Sequence, residues 1–140
     1  MMNRRLAIAA LAIVALATAC SSSSSGNPHG GVDVELPPTL THGVCAVVKV
    51  DYLSIASVPA SPAPAENNET YTATAQNGAL YFDADCKTPL SGTFNIPRGS
   101  VSVNLGLVPG KGGMTCEAQV SNTATFAGVP ITAQASAMVN

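Results

Sequence analysis

The sequence is poor in aromatic and charged residues. It has no Trp, three Phe and three Tyr, and charged residues make up 10% of its 140 residues. A folded core must therefore be built from Val, Leu, Ile and many Ala. No basic cluster occurs, which argues against nucleic acid as a partner. The chain also lacks a C-x-x-C pair, which argues against a zinc site, and no cofactor is expected.

The N-terminal residues have the three parts of an export signal. Arg4 and Arg5 form a positive segment, an uninterrupted apolar run follows over Leu6–Leu16, and the small residues Ala17–Ala19 end it. As a helix the apolar run reaches about 17 Å, well short of the ~30 Å hydrocarbon core of a bilayer. We therefore expect residues 1–19 to be a signal peptide rather than a transmembrane span.

Cys20 follows at once, and a tract of five serines, Ser21–Ser25, comes after it. The small residues before Cys20 resemble the lipobox of bacterial lipoproteins, although Ala17 stands where those boxes usually carry Leu. The resemblance implies lipidation of the Cys20 thiol by diacylglycerol, with palmitate-type chains, and an outer-membrane location in a Gram-negative host. The alternative is ordinary cleavage before a cysteine that stays free.

The segment 20–42 is rich in Ser, Gly and Pro, a composition that predicts a flexible linker ending at Pro37-Pro38. About 20 residues of random coil span roughly 25 Å. After loss of Arg4 and Arg5, four cations face eight carboxylates, a net charge near −4. This balance argues against an anionic membrane surface as a partner. Residues 43–140 remain for a single small β-domain.

From Gly43 onward apolar and polar residues alternate with a period of two, which predicts strands with one buried face. No helix is expected after residue 42. The residues expected to face the core are every second residue of six runs, apart from Asn122: Val44–Val50, Tyr71–Ala75, Leu80–Cys86, Val101–Leu107, Met114–Phe126 and Ile131–Val139.

Four turn signals join these runs: Asn77-Gly78, residues 97–100, the glycine-rich stretch Pro109–Gly113, and Ala127-Gly128. Read as hairpins, they set Ala75 opposite Leu80, Ile96 opposite Val101, Leu105 opposite Cys116, Phe126 opposite Val129 and Ala124 opposite Ile131. Apolar residues then always meet apolar residues. This predicts an all-β domain, an antiparallel meander of about seven strands forming a small sandwich or barrel. The longest run is expected to bend near Asn122.

Three cysteines remain in the domain, and an exported domain folds in an oxidising compartment. Cys86 and Cys116 fall on predicted inward faces, whereas Cys45 falls on a mixed face. We therefore predict a Cys86–Cys116 disulfide, with Cys45 free or paired between chains. Closing about 30 residues would stabilise the fold by roughly 3–4 kcal/mol. The alternative is that one or both are small core residues.

Candidate chemical groups do not assemble into a catalytic pattern. Asp83 and Asp85 share a strand face, as solvated surface carboxylates often do, and His42 has no acid at a recognisable spacing. No G-x-S-x-G surrounds any serine. We predict that the protein is not an enzyme. Ser57–Ala65 resembles tracts that bacterial oligosaccharyltransferases modify, and Asn68 fits an acidic bacterial N-glycan sequon; a plain exposed loop is the favoured interpretation of both.

These features predict a non-catalytic lipoprotein of the bacterial cell envelope, attached to the membrane by a lipid anchor. Its β-domain would bind a protein or glycan partner, or serve as a structural accessory. The alternative is a membrane-anchored inhibitor or decoy that inserts a loop such as Val108–Gly113 into a foreign secreted enzyme, as small β-barrel lysozyme inhibitors do.

Overall fold

The computed structural model describes residues 31–54, 60–126 and 129–140, which contain strands, turns and connections but no helix. None of these residues belongs to a helix that could cross a membrane. The strands are β1 (Gly31–Glu35), β2 (Thr39–Leu40), β3 (Ala46–Ser54), β4 (Ser61–Pro62), β5 (Glu69–Gln76), β6 (Gly78–Tyr81), β7 (Thr93–Ile96), β8 (Ser102–Pro109), β9 (Thr115–Phe126) and β10 (Val129–Val139). The prediction of an all-β domain is confirmed.

The ten strands form two five-stranded sheets that pack as a sandwich. The first sheet has the order β1-β3-β8-β6, with β4 paired to β3, and the second has the order β2-β10-β9-β5-β7. All of these pairs are antiparallel except β2 with β10, which is parallel. The core lies between the sheets, as expected when each sheet is apolar on one face.

The predicted inward faces are confirmed for the strand residues whose side chains are described, which leaves out Ala124 and Phe126, and they fail just outside the strands. The buried residues include Val48, Val50, Tyr71, Ala73, Leu105, Leu107, Cys116, Ala118, Val120, Ala137 and Val139. The exposed exceptions are Val44, Phe82, Val101 and Met114. Each of these four lies one or two residues beyond a strand end, where the backbone no longer alternates between two faces.

Three of the four predicted hairpins are wrong, because their turns carry the chain from one sheet to the other. Asn77 joins β5 of the second sheet to β6 of the first. Residues 97–101 cross between β7 and β8, and residues 110–114 between β8 and β9. The fold is therefore not a meander. The predicted registers failed because both sheets bury their apolar residues in one core, so opposed apolar residues do not identify paired strands.

The hairpin of β9 and β10 is confirmed. Phe126 pairs with Val129, as predicted, but Ile131 pairs with Asn122 rather than Ala124. The register shifts between Pro130 and Ile131, next to Asn122, where a bend of the long run was predicted. The turn residues 127 and 128 lie outside the described residues.

The predicted linker 20–42 ends earlier than expected. Its last part contains β1 and β2, in which Val32, Val34 and Leu40 are buried in the core. The alternation of Val32 and Val34 with acidic residues is a strand pattern that the surrounding glycines and prolines obscured. Pro37-Pro38 lies where the chain leaves the first sheet for the second. The β-domain thus begins at or before Gly31, and Cys20 lies outside the described residues.

The long strand β3 connects two ends of the sandwich. At one end Ala46 pairs with Leu107, two residues before Pro109; we call this the loop end. At the other, Leu53 pairs with Gly31 and with Pro62; we call this the N-terminal end. Nine strand residues separate the two ends by about 25 Å.

Candidate functional site

The glycine-rich connection at the loop end, residues Pro109–Gly113 (the glycine loop), is held in place by Asn77. The side chain of Asn77 accepts a hydrogen bond from Lys111 N (2.8 Å) and donates one to Lys111 O (3.0 Å). Gly110 N in turn donates to Asn77 O at 2.8 Å. Asn77 has φ of 53°, a conformation that Asn tolerates better than most residues. One residue therefore forms both the crossing between the sheets and the support of the loop.

Two other chain segments hold the remaining sides of the glycine loop. His42 Nδ1 donates to Gly110 O, and Gly43 N donates to Pro109 O at 3.1 Å. Gly113 N donates to Val139 O at 2.8 Å. His42 thus has a structural bond to the loop backbone, and the loop is fixed by hydrogen bonds to three separate parts of the chain.

The surface of this end combines one cation with exposed apolar side chains. Lys111, Gly112 and Gly113 are exposed, and the flanking residues Val44 and Met114 are 55% and 49% exposed. We call these five residues the loop surface. A surface whose backbone is already ordered avoids part of the conformational cost of binding. This surface therefore offers exposed apolar area and one positive charge.

The disulfide joins Cys45 to Cys86, with their Cα atoms 5.9 Å apart, and Cys116 is a free, buried cysteine. The predicted Cys86–Cys116 bridge is therefore wrong. Cys45 does lie on the outward side of its strand run, as the pattern indicated. The error was in Cys86, which was assigned an inward face by extending the alternation of β6 beyond Tyr81, where the strand ends.

The chain after Tyr81 folds into a turn centred on Asp83. The Asp83 carboxylate accepts hydrogen bonds from Lys87 N and Thr88 N, both at 2.7 Å, and the bond from Lys87 is the main cause of its lowered pKa. Cys86 has φ of 55° and donates its N–H to Asp83 O at 3.0 Å. Asp83 and the Thr88-Pro89 pair are residue types that favour turns, and the alternating pattern hid this signal.

Gly106 of β8 lets this turn lie directly on the first sheet. A Cβ at Gly106 would stand 2.4 Å from Asp83 O and 2.6 Å from Cys86 Sγ. The turn, the disulfide and Gly106 thus form one packed unit on the outer face of the first sheet. Its function is structural, since it ties the start of β3 to the chain beyond β6.

Cys116 lies in the core on β9, at 0% exposure. A Cβ at Gly78 would stand 2.9 Å from Cys116 Sγ, so Gly78 is required for close packing rather than for positive φ. Burial raises the pKa of the Cys116 thiol. A buried thiol of this kind behaves as a small apolar residue and is unreactive.

A buried polar cluster lies further toward the N-terminal end. Glu69, Tyr71 and Asn122 are at most 4% exposed, and Asn122 Nδ2 donates to Glu69 Oε2 at 3.5 Å. Burial, followed by the nearby Glu69 carboxylate, raises the pKa of Tyr71. Sequence reasoning missed this cluster because Glu69 was assigned to an exposed loop and Asn122 to a bend in the long run. It links β5 to β9, and we assign it a structural role.

Other residues considered from the sequence are dispersed. Asp85 forms an exposed ion pair with Lys87 (3.3 Å), whereas Asp83 supports the turn, so the two carboxylates do not converge. Asn68 is exposed and accepts a hydrogen bond from Arg98 N at 2.9 Å. Of the stretch 57–65, residues 60–65 are described; they include β4 and the buried Ala65. Among the described residues no group of three or more potential metal ligands occurs.

No protein-family model and no curated protein matches the sequence. The CARDB domain of a Pyrococcus furiosus protein, solved in complex with di-metal ions, is 10% identical, with 79% of this chain and 86% of that chain covered at a TM-score of 0.44. The sulfur carrier protein SoxY from Chlorobium limicola f thiosulfatophilum is 16% identical, with 89% and 96% covered at a TM-score of 0.44. Likenesses of this degree say nothing about the ligands or activity of this chain.

Proposed function

We propose that the chain is a non-catalytic lipoprotein of the bacterial cell envelope, anchored through Cys20, whose β-sandwich binds a protein or glycan partner through the loop surface. The observation that carries the proposal is the ordered, exposed glycine loop at the end opposite Gly31. An anchor on the N-terminal side leaves that end unobstructed by its own attachment point.

The loop surface is suited to recognition by its composition and its rigidity. Val44 and Met114 supply exposed apolar area, and Lys111 supplies the positive charge between glycines that admit close approach. The bonds from Asn77 and His42 fix the loop backbone before a partner arrives. Binding modules that are preordered in this way lose less entropy on association.

The same rigidity supports a second function, a membrane-anchored inhibitor or decoy of a foreign secreted enzyme. A fixed loop at the end of a β-domain can enter a cleft without refolding. The two functions predict different partners for one surface: a resident envelope component for the first, and a secreted hydrolase for the second.

The anchor is tested by Cys20→Ala in the full chain. We expect this variant to leave the membrane fraction, because the proposed lipid anchor would supply the membrane affinity of the chain. Ser21→Ala, next to the anchor, is the matched control and should stay membrane-bound. Retention of Cys20→Ala in the membrane would refute lipid anchoring.

The loop surface is tested by placing a photo-reactive side chain at Lys111 in the anchored protein, with the same side chain at Arg98 as the control. Arg98 lies in the 97–101 crossing, whereas Lys111 lies at the loop end. We expect covalent adducts from position 111 alone. A resident component in the adduct supports the binding module, and a foreign hydrolase supports the inhibitor. Equal adducts from both positions, or none, would contradict a role for the loop surface.

A further inference from the structure

The last strand, β10, has an incompletely paired edge in the second sheet. Along one side it pairs with β9 over its length, whereas on the other side β2 covers only Met138 and Val139. Within the described parts of the chain, no strand pairs with the second side of residues 129–137. β1 of the first sheet also lies close to β10, without forming a hydrogen-bonded ladder with it.

The hydrogen bonds at the end of β10 show which groups this edge presents. Val139 N donates to Met114 O, toward β9, whereas Asn140 N donates to Leu40 O, toward β2. Successive residues of a strand direct their N–H and C=O groups to opposite sides. Residues an even number of positions before Asn140 therefore direct their backbone N–H and C=O groups to the open edge. In the open stretch these are Thr132, Gln134 and Ser136. Their side chains are exposed on the outer face of the sheet.

This edge lacks the charges that commonly block strand pairing. Natural edge strands carry Lys or other charged residues that prevent association with another strand. Here no charged side chain occurs from Ala118 to Asn140. Prolines limit the edge instead: Pro130 contributes no N–H at its start, and Pro37-Pro38 precedes β2 near its end. The open stretch between them is short and defined.

We propose that this edge pairs with the same edge of a second copy of the chain, antiparallel, with Gln134 of one copy opposite Gln134 of the other. Thr132 then faces Ser136, and three residue pairs exchange backbone hydrogen bonds across a two-fold axis. Ala133 of one copy then lies opposite Ala135 of the other on the inner face, where the small side chains allow the two strands to approach closely. Copies with a net negative charge repel each other, and this uncharged edge is where they approach without that repulsion.

The first test is thiol cross-linking of the full chain in intact cells. Gln134→Cys is compared with Gln119→Cys, which pairs with it on β9 and lies on the same face one strand further in. A short bifunctional thiol reagent should join two copies through position 134 and not through position 119. Absence of a dimer at position 134, or equal cross-linking at both positions, would overturn the proposal.

The second test separates a second copy from a foreign strand. Gln134→Lys and Gln134→Glu should each reduce the dimer about fivefold, because like charges then lie opposite one another. Co-expression of the two variants should restore a mixed dimer. To detect it, the two copies carry different affinity tags, and one copy also carries Ser136→Cys while the other carries Thr132→Cys. Cross-linking between these two cysteines then reports the mixed dimer. Unchanged dimer in the single variants, no rescue in the mixture, or cross-linking of the Gln134→Cys variant to a foreign protein would each contradict self-pairing.

Discussion

At the residue scale, Asn77 shows what the sequence could and could not reveal. Its Asn-Gly pair predicts positive φ at both residues of a hairpin turn, and of the two only Asn77 has it. The pair does not show that the side chain of Asn77 would hold Lys111, 34 residues further along. A long-range bond of this kind depends on which loops the fold brings together, and local turn preference contains no such information. The same is true of Gly106, whose importance becomes visible only when the turn of Asp83 lies on it.

Asn77→Ala should destabilise the domain by about 2–3 kcal/mol, since it removes two side-chain bonds and places Ala at positive φ. Asn77→Gly removes the same bonds without the conformational strain, so it should cost about 1 kcal/mol less. Urea unfolding of the two variants measures the difference. Equal losses would show that the backbone at Asn77 is not strained, and a neutral Asn77→Gly would show that the bonds to Lys111 contribute nothing.

At the scale of strands and turns, alternation identified the buried faces and could not identify the pairing. Leu105 and Cys116 are both fully buried, as predicted, yet they belong to different sheets. In a sandwich, a buried apolar residue has apolar neighbours both on the paired strand of its own sheet and on the opposite sheet. The period-two alternation is therefore the same whether two strands pair with each other or lie in different sheets. Alternation also fails where a strand ends without a Gly or Pro to mark it. Tyr81 is such an end, and the Cys86–Cys116 prediction failed there.

The disulfide gives the element-scale prediction. Peptide mapping under non-reducing conditions should recover Cys45 linked to Cys86, and Cys116 should react with an alkylating reagent only after unfolding. Cys45→Ala should lower stability by roughly 3–4 kcal/mol, because the bridge closes a loop with a sequence separation of 41. Cys116→Ala is the comparison: it leaves the bridge intact and removes only a small buried side chain. A Cys116-linked peptide, or equal stability of Cys45→Ala and wild type, would refute the assignment.

At the scale of the whole molecule, the buried polar cluster places the hydroxyl of Tyr71 in the core of the sandwich. Tyr71 stacks on Phe94 with ring centroids 5.8 Å apart, and its β5 backbone pairs with β9 at Asn122. Tyr52 of β3, in the first sheet, acts on the ionisation of the Tyr71 hydroxyl. Tyr71 is the largest fully buried side chain of a core that is otherwise mainly aliphatic. The state of its hydroxyl therefore affects the sandwich as a whole.

This arrangement predicts how the stability of the domain depends on alkaline pH. The folded-state pKa of Tyr71 is raised, so the unfolded chain releases this proton at a lower pH than the folded chain does. The stabilisation is complete below the ordinary tyrosine pKa of about 10 and is lost as the pH rises above it, by up to about 1.4 kcal/mol per pH unit. Tyr71→Phe should reduce this loss, and Tyr81→Phe, at a partly exposed tyrosine, is the comparison. Denaturant unfolding between pH 8 and pH 11 measures how the free energy of unfolding changes with pH. Equal slopes for wild type and Tyr71→Phe would show that the hydroxyl of Tyr71 ionises as readily in the folded domain as in the unfolded chain.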